Sequence, residues 1–508
     1  MSAAAVAPFR RLAGVLIGGA LVGKALGFAR EVAMAQALGV SVVADSFRGA
    51  VTAVLLPLAL LQGDTVPAVL IPLHRQWRAE KRAPQLFAAL TASLVLIALA
   101  IMALVELLAG PWVHAIVGGF PPEALALTRR FTQVMALAMP GSVLFNCLIS
   151  VELSLGRARM TSVRASVQNA GVMLGIAIMA ATGQAIAIAW CFTAAFTLTA
   201  AWGTWTLWHE GELDLGAIRP VAALRTLAAF LRRLRALVAQ PLADQGQVWL
   251  ERLLASASAP GTVAALDYAR TLTESALFVV SQPVGLAVLA DGAAGRERDA
   301  ARRRMVAIAR PLLVLAMPAS AFLVLFAPDL VRLVFARGAF AAEGVLLTSR
   351  ALAGIGAGLW AATLGWILIR QLNSEGRNGR AAFVLVQAYA ANAVFNLALA
   401  PRLGALGFGL GEAIRGAVLL AGTALAVGCG RAVLRLVVQM LPACAALWLA
   451  SAAIHAWTDA ALVRVAAGAL AYAAVVGATG VALMPEACRL ALGRAARMVG
   501  LRSGGVAA

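Results

Sequence analysis

The stretch 86–109 reads LFAALTASLVLIALAIMALVELLA and carries a single charged side chain, Glu106. A helix needs about 20 consecutive apolar residues to cross a bilayer, and this stretch meets that requirement. The rest of the chain is similar: 62% of the 508 residues are hydrophobic, 13% are charged, and the mean hydropathy is +0.88. Soluble domains are about half apolar and a quarter charged. The composition therefore predicts a polytopic membrane protein and excludes a soluble multidomain enzyme, a disordered chain and a disulfide scaffold.

The apolar runs are continuous and do not alternate with polar residues, which indicates spanning helices and not a transmembrane barrel. We therefore predict an all-α integral membrane protein with about 14 transmembrane helices. The predicted segments are 12–29, 41–62, 86–109, 131–154, 165–182, 185–208, 236–256, 263–290, 305–327, 345–369, 381–399, 403–428, 436–456 and 461–484. Pro57, Gly63 and Pro67 interrupt the second segment and its continuation. Such a broken helix is tolerated in a membrane only against protein or a water-filled cavity.

The distribution of basic residues predicts the orientation of these helices. Loops after even-numbered segments are rich in arginine, as in 75–82 and 219–235, whereas the loop 256–261 after the seventh segment has no arginine or lysine. By the positive-inside rule, both termini are expected in the cytoplasm. The net charge of +19 therefore does not indicate a nucleic-acid partner, because the arginines lie in short loops and not on one soluble face.

A ten-residue pattern occurs twice and indicates an internal repeat. Gly39–Arg48 and Gly261–Arg270 both read G-x5-D-x2-R, and each opens a predicted helix, the second and the eighth. Two six-helix halves of parallel topology, related by a pseudo-twofold axis, would produce this spacing. The expected organisation is an N-lobe over 1–208, a cytoplasmic amphipathic linker over 209–235, a C-lobe over 236–428, and two extra helices with a basic tail over 429–508.

Charged side chains inside spanning helices cost roughly 2.5–3.5 kcal/mol each on insertion scales and therefore mark candidate functional sites. Two groups stand out: Lys24, Arg30, Glu31, Asp45 and Arg48, and then Asp244, Glu251, Arg252, Asp267, Arg270 and Glu274. Because the planar fork of arginine can donate two hydrogen bonds to a phosphate, the groups predict an anion-binding cavity. The alternative is structural: Asp45–Arg48 and Asp267–Arg270 each share a helical face at i and i+3 and could neutralise one another.

No sequence pattern points to catalysis or to a metal centre. The four histidines are dispersed, and the five cysteines are scattered without CxxC spacing. The sequence contains no HExxH motif and no nucleophile elbow. We therefore expect a transporter without a metal or an organic cofactor, and not an enzyme.

Several elements resemble the MurJ/MviN family of lipid II flippases, which belongs to the MOP exporter superfamily. The elements that carry the resemblance are Gly23–Glu31, Leu38-Gly39 and Ala44–Phe47 near the start, then Tyr268-Ala269, Gln282–Gly285 and the FxxGxF-like run Phe335–Phe340. Fourteen helices with both termini inside is also the layout of that family. Typical Wzx-type and MATE relatives have twelve.

The resemblance implies a flippase with a cationic cavity that works by alternating access in the bacterial inner membrane. It would act as a monomer among membrane lipids and move an undecaprenyl-pyrophosphate-linked glycan, first of all lipid II, from the inner to the outer leaflet. Arg30 and Asp45 match family residues directly, and Lys24 replaces a family arginine. The expected substrate-binding residues are Lys24, Arg30, Glu31, Asp45, Arg48, Arg270 and Glu274.

Two departures from the family leave other substrates open. Leu60–Thr65 replaces paired arginines and an E-G-A-F-S element, and Thr271, one residue after Arg270, aligns with a family arginine. The alternatives are a Wzx-like flippase for an exopolysaccharide or O-antigen repeat unit and, less favoured, a MATE-like cation-coupled drug antiporter, which would need an acidic cavity. For coupling, the resemblance implies either the membrane potential or a Na⁺ site. The candidate Na⁺ ligands are Asp244, Asn392 and Asn396, for which a structural polar patch is the other interpretation.

Overall fold

The computed structural model describes residues 3–63, 65–235, 237–274 and 298–485. Over these ranges all regular structure is helical, as the sequence predicts, and no strand occurs. The helices are α1 (Ala3–Leu38), α2 (Val42–Leu55), α3 (Thr65–Ala79), α4 (Ala83–Leu107), α5 (Ala109–Val117), α6 (Pro122–Ala136), α7 (Met139–Ser154), α8 (Arg159–Thr182), α9 (Ile186–His209), α10 (Pro220–Leu234), α11 (Ala239–Ser256), α12 (262–274), α13 (Arg298–Leu325), α14 (Ala327–Phe335), α15 (Ala342–Ser374), α16 (Asn378–Ala398), α17 (Ala400–Leu403), α18 (Ala405–Val427), α19 (Gly430–Trp457) and α20 (Ala461–Leu483). The element Gln282–Gly285 lies outside the described residues.

Nine helices in the described ranges are long and apolar enough to cross a membrane, or ten if the bent pair α6–α7 forms one span. Most of the apolar stretch 86–109 lies in α4, which has a mean hydropathy of 2.6 over its most apolar window, the highest of these nine helices. The number of fourteen spans and the cytoplasmic position of both termini stay predictions.

The helix boundaries differ from the predicted ones where prolines intervene. The predicted segment 41–62 is interrupted at Pro57, as the sequence indicates: α2 ends at Leu55, and a 3₁₀ turn covers Leu56–Leu58. Pro57 ends the helix because it has no backbone N–H and its ring clashes with the preceding turn. The predicted segment 131–154 is likewise two helices, α6 and α7, bent by 46° just before Pro140. The short helices α5 and α14 lie mainly where loops are predicted.

The break after α2 packs against α7. The side-chain amide of Gln62 donates a hydrogen bond of 2.8 Å to Ser142 Oγ. Asn146 Nδ2 lies 3.3 Å from the carbonyl oxygens of both Leu61 and Gly63 and donates to them. Backbone groups released by the broken helix therefore find protein partners, which is the condition for non-helical backbone at membrane depth.

Three glycines on one face of α1 allow close packing on α8. Gly19, Gly23 and Gly27 recur at intervals of four residues, so they share one helical face. A Cβ atom at Gly19 would lie 2.4 Å from Ser162 Cβ, and one at Gly23 would lie 2.8 Å from the Cβ of the α8 alanine opposite. Small residues of this kind bring membrane helices into backbone contact. The contact lets Asn169 of α8 donate a 3.1 Å hydrogen bond to the carbonyl of Gly23.

We expect Gly19→Ala to destabilise the protein by about 1–3 kcal/mol, because the added methyl group would overlap Ser162 and force the helices apart. The matched control is Gly18→Ala, where no atom lies within 4 Å of the added Cβ. This control should be neutral or slightly stabilising, since alanine favours the helix. The measurement is the midpoint of thermal unfolding in detergent, and equal midpoints for the two variants would contradict the packing described.

The chain forms two compact units. The first combines Met1–Thr271 with Phe335–Thr348 and Asn396–Ala405. The second combines Leu272–Val334 with Ser349–Phe395 and Leu406–Ala508, and its apolar core includes residues of α13, α15, α18 and α19. The division into lobes over 1–208 and 236–428 stays a prediction. Of the candidate charged residues, all except Glu274 belong to the first unit.

Candidate functional site

Seven charged side chains from α1, α2, α11 and α12 form a continuous ion-pair network, composed of Arg30, Glu31, Arg48, Glu251, Arg252, Asp267 and Arg270. Arg48 is at its centre: Nη2 donates to Glu31 Oε2 at 2.7 Å, and Nη1 donates to Asp267 Oδ2 at 2.9 Å. The side chains of Arg48 and Glu31 are only 6% and 5% exposed. The Arg48 guanidinium also lies 4.5 Å from the centre of the Tyr268 ring, a favourable cation–π distance.

The α11 and α12 side of the network contains two more arginines. Arg252 Nη2 lies 2.7 and 2.8 Å from the two carboxylate oxygens of Asp267 and donates to both. Arg270 Nη2 donates to Glu251 Oε2 at 2.5 Å, and its Nη1 lies 3.6 Å from Asp267 Oδ1. Glu251 and Arg252 are adjacent on a helix and therefore project about 100° apart, which is why they bind different partners.

Two of the four arginines are partly exposed, whereas the other two are buried. Arg30 binds its neighbour Glu31 and donates a 3.0 Å hydrogen bond to Asn169 Oδ1. The side chains of Arg30 and Arg270 are 32% and 26% exposed, against 6% and 9% for the two inner arginines. Among the described residues that these ion pairs join, four arginines face three carboxylates, an excess of one positive charge. An anion that approaches the network therefore meets the guanidinium groups of Arg30 and Arg270.

The alternative in which Asp45 and Arg48 neutralise one another as a direct ion pair is wrong, because each binds other partners. Asp45 Oδ2 accepts a 2.6 Å hydrogen bond from the backbone N–H of Gly261, and Oδ1 accepts one of 2.8 Å from Ala264. These N–H groups belong to the start of α12, where a helix has unsatisfied donors and a partial positive charge that favours a carboxylate. Asp45 therefore caps a helix that is distant in sequence. The other expected pair, Asp267–Arg270, is present as a longer contact of 3.6 Å.

A second contact supports the same junction between α2 and α12. The Tyr268 hydroxyl is buried and donates a 3.0 Å hydrogen bond to the carbonyl of Gly39, just before α2. Gly39 has a φ of +59°, a conformation that glycine adopts without strain. The two glycines that begin the repeated sequence pattern, Gly39 and Gly261, thus both supply backbone groups to this junction.

The remaining predicted site residues lie outside the core of this arrangement. Lys24 is exposed on α1, and Glu274 is exposed at the last described position of α12. Asp244 is half-buried on α11, whereas Asn392 and Asn396 are buried on α16, and their role as a Na⁺ site stays a prediction. Among the residues described, no group of three or more His, Cys, Asp and Glu side chains is arranged to hold a metal ion.

The sequence places Glu251 and Arg252 among the candidate charges but not among the expected substrate-binding residues, and it does not indicate Asn169 or Tyr268 as part of the site. A signal for the first two exists, because adjacent opposite charges inside a spanning helix must each find a partner elsewhere. For Asn169 the only signal is the glycine spacing of α1, which indicates that another helix comes close enough to contact it.

Comparisons with known proteins agree with this architecture. A family model described as "Lipid II flippase MurJ" matches residues 34–468. A relative from Rhizobium tropici, described as "Probable lipid II flippase MurJ", is 28% identical over 438 residues, which cover 79% of this chain and 78% of the relative.

Two solved structures share the fold. The structure of lipid II flippase MurJ in its inward closed conformation superposes with a TM-score of 0.79, at 15% identity, over 92% of this chain and 99% of that chain. An inward-facing multidrug resistance transporter of the MATE family, in the MOP superfamily, gives a TM-score of 0.64 at 14% identity, over 83% of this chain and 98% of its own.

Proposed function

The chain belongs to the MurJ family of lipid II flippases, and from this premise we propose that it moves lipid II from the inner to the outer leaflet of the bacterial inner membrane. It acts as a transporter, because the flipped lipid keeps all its covalent bonds. The observation that carries the proposal is the pair of partly exposed guanidinium groups, Arg30 and Arg270, in a largely buried ion-pair network. The nine helices of the described residues that are long and apolar enough to cross a membrane support the same proposal.

The pyrophosphate of the head group is the part of lipid II that these arginines suit. Each phosphate has several oxygen atoms that accept hydrogen bonds. A guanidinium group can donate two parallel hydrogen bonds to the oxygens of a phosphate. Asn169 orients Arg30, since its Oδ1 accepts from Nη1 while its Nδ2 is anchored on α1. The buried Arg48 and Arg252 bind Asp267, and the anion binds the partly exposed Arg30 and Arg270.

Alternating access needs contacts that can open and form again, and the junction between α2 and α12 is suited to this. Asp45 binds α12 through two hydrogen bonds to backbone amides, and Tyr268 adds a third to Gly39. The two bonds to Asp45 are strong because the carboxylate is charged, and all three can be replaced by hydrogen bonds to water when the junction opens. We propose that this junction opens and closes during transport.

The test is growth rescue in a bacterium depleted of its own lipid II flippase. The chain is expressed there, and its abundance in the inner membrane is verified by immunoblotting of membrane fractions. Rescue is expected for the native chain and for Arg225→Ala, which changes an exposed arginine on α10. Failure of the native chain at normal abundance would contradict lipid II transport and favour a polysaccharide flippase, which secreted glycan in a deletion strain would then reveal.

A further inference from the structure

Each accessible arginine of the ion-pair network already holds a carboxylate. Arg270 donates to Glu251 at 2.5 Å, and Arg30 binds Glu31, whose second oxygen accepts from Arg48 at 2.7 Å. The side chains of Glu31 and Glu251 are only 5% and 3% exposed. These carboxylates therefore occupy guanidinium donors that a phosphate group would use.

We propose that Glu31 and Glu251 are resident counter-ions, which the pyrophosphate of the substrate displaces from Arg30 and Arg270 when it binds. This inference rests on the proposed function, because it takes a pyrophosphate-linked lipid as the ligand. It reverses the expected role of Glu31: the carboxylate competes with the substrate and does not bind it.

The reason for such an arrangement is electrostatic. Four arginines without carboxylates would be costly inside the membrane while the site is empty. Resident carboxylates lower that cost, and they also weaken the binding of an anion, because an existing ion pair has to break first. A transport site must bind its cargo weakly enough to release it on the other side. Glu31 and Glu251 meet both requirements.

The two carboxylates differ in the partners that they retain when the substrate displaces them. Glu31 keeps its hydrogen bond to Arg48 after phosphate binds Arg30. Glu251 has Arg270 as its one hydrogen-bonding partner among the residues that the structure describes, so displacement leaves this buried carboxylate without a counter-ion. Competition by Glu251 is therefore the stronger of the two, and its removal should have the larger effect.

The experiment measures binding of undecaprenyl pyrophosphate to the purified full-length protein in detergent, by native mass spectrometry. Glu251→Gln should bind the probe about fivefold more tightly and Glu31→Gln about twofold, since the arginine of each pair is partly exposed to solvent and solvent-exposed ion pairs contribute about 1 kcal/mol or less. The uncharged probe undecaprenol should bind all variants equally. The matched control is Glu210→Gln, which removes a carboxylate paired with Arg157 and Arg159 outside the network and should leave binding unchanged.

A double variant separates competition from a general structural effect. In an Arg270→Gln background, Glu251→Gln should no longer tighten binding of the probe, because the guanidinium group for which Glu251 and the phosphate compete is absent. If Glu251→Gln does not fold, Glu251→Asp serves instead, since the shorter side chain weakens the pair and should shift affinity in the same direction.

The outcomes distinguish this inference from the proposed function. Unchanged or weaker probe binding by folded Glu251→Gln would overturn it, and so would a native chain that binds no pyrophosphate probe. A native chain that does not rescue growth but binds the probe more tightly after Glu251→Gln would reject lipid II and leave the counter-ion role supported.

Discussion

Charge reversal by Arg30→Glu is expected to abolish growth rescue in a flippase-depleted bacterium, at undiminished abundance in the membrane. The new carboxylate would lie beside Glu31 and Asn169, where the native guanidinium is 32% exposed and meets an approaching anion. Replacing attraction by repulsion at a partly buried position should lower transport by roughly 100-fold or more. Lipid II flux, followed by the accessibility of the head group at the outer leaflet, is the quantitative measurement.

Two controls make this result specific. Arg30→Lys keeps the positive charge but loses the planar fork, so transport should fall to an intermediate level. Arg225→Glu applies the same charge reversal to an exposed arginine on α10 and should leave rescue intact. Full rescue by Arg30→Glu would reject the cationic site as the binding surface of the substrate.

The variant Arg48→Met is expected to destabilise the protein by about 3–5 kcal/mol, the range measured when one partner of a buried ion pair is removed. Methionine has a similar length but cannot replace the hydrogen bonds to Glu31 and Asp267 or the contact with the Tyr268 ring. The variant leaves Asp267 with two arginines but Glu31 with Arg30 alone. The thermal unfolding midpoint in detergent should fall clearly, and so should abundance in the membrane.

The origin of this loss can be tested by neutralising the carboxylate that Arg48 leaves behind. In the double variant with Glu31→Gln, part of the lost stability should return, because a buried amide costs less than a buried unpaired charge. Arg225→Met, on an exposed helix face, should stay within about 0.5 kcal/mol of the native chain. A native-like midpoint for Arg48→Met would show that the network does not hold these helices together.

Much of the architecture could be predicted because lipid restricts what a sequence can contain. Apolar runs of about 20 residues and rare internal charges identify most of the long helices and the residues of the network. The repeated pattern indicated Asp45, Arg48, Asp267 and Arg270 as related positions, and all four lie at or beside the junction of α2 with α12.

The partners of these residues could not be predicted in the same way. Spacing at i and i+3 shows that Asp45 and Arg48 are neighbours on a helix, but it does not show what lies opposite. The amides of Gly261 and Ala264 are better partners for Asp45 because they combine two donors with the positive end of a helix. Short helices such as α5 escaped prediction for a different reason: nine residues are too few to produce a spanning signal.

The junction between α2 and α12 also affects how the protein is made. Arg48 pairs with a carboxylate 219 residues further along the chain, and Asp45 binds an amide 216 residues away. At synthesis rates of about 5–20 residues per second, these partners are synthesised roughly 10–45 s after α2. In that interval Glu31, 17 residues before Arg48, is the network carboxylate already available. A translation product that stops before α12 therefore retains Asp45 without the amide donors of Gly261 and Ala264.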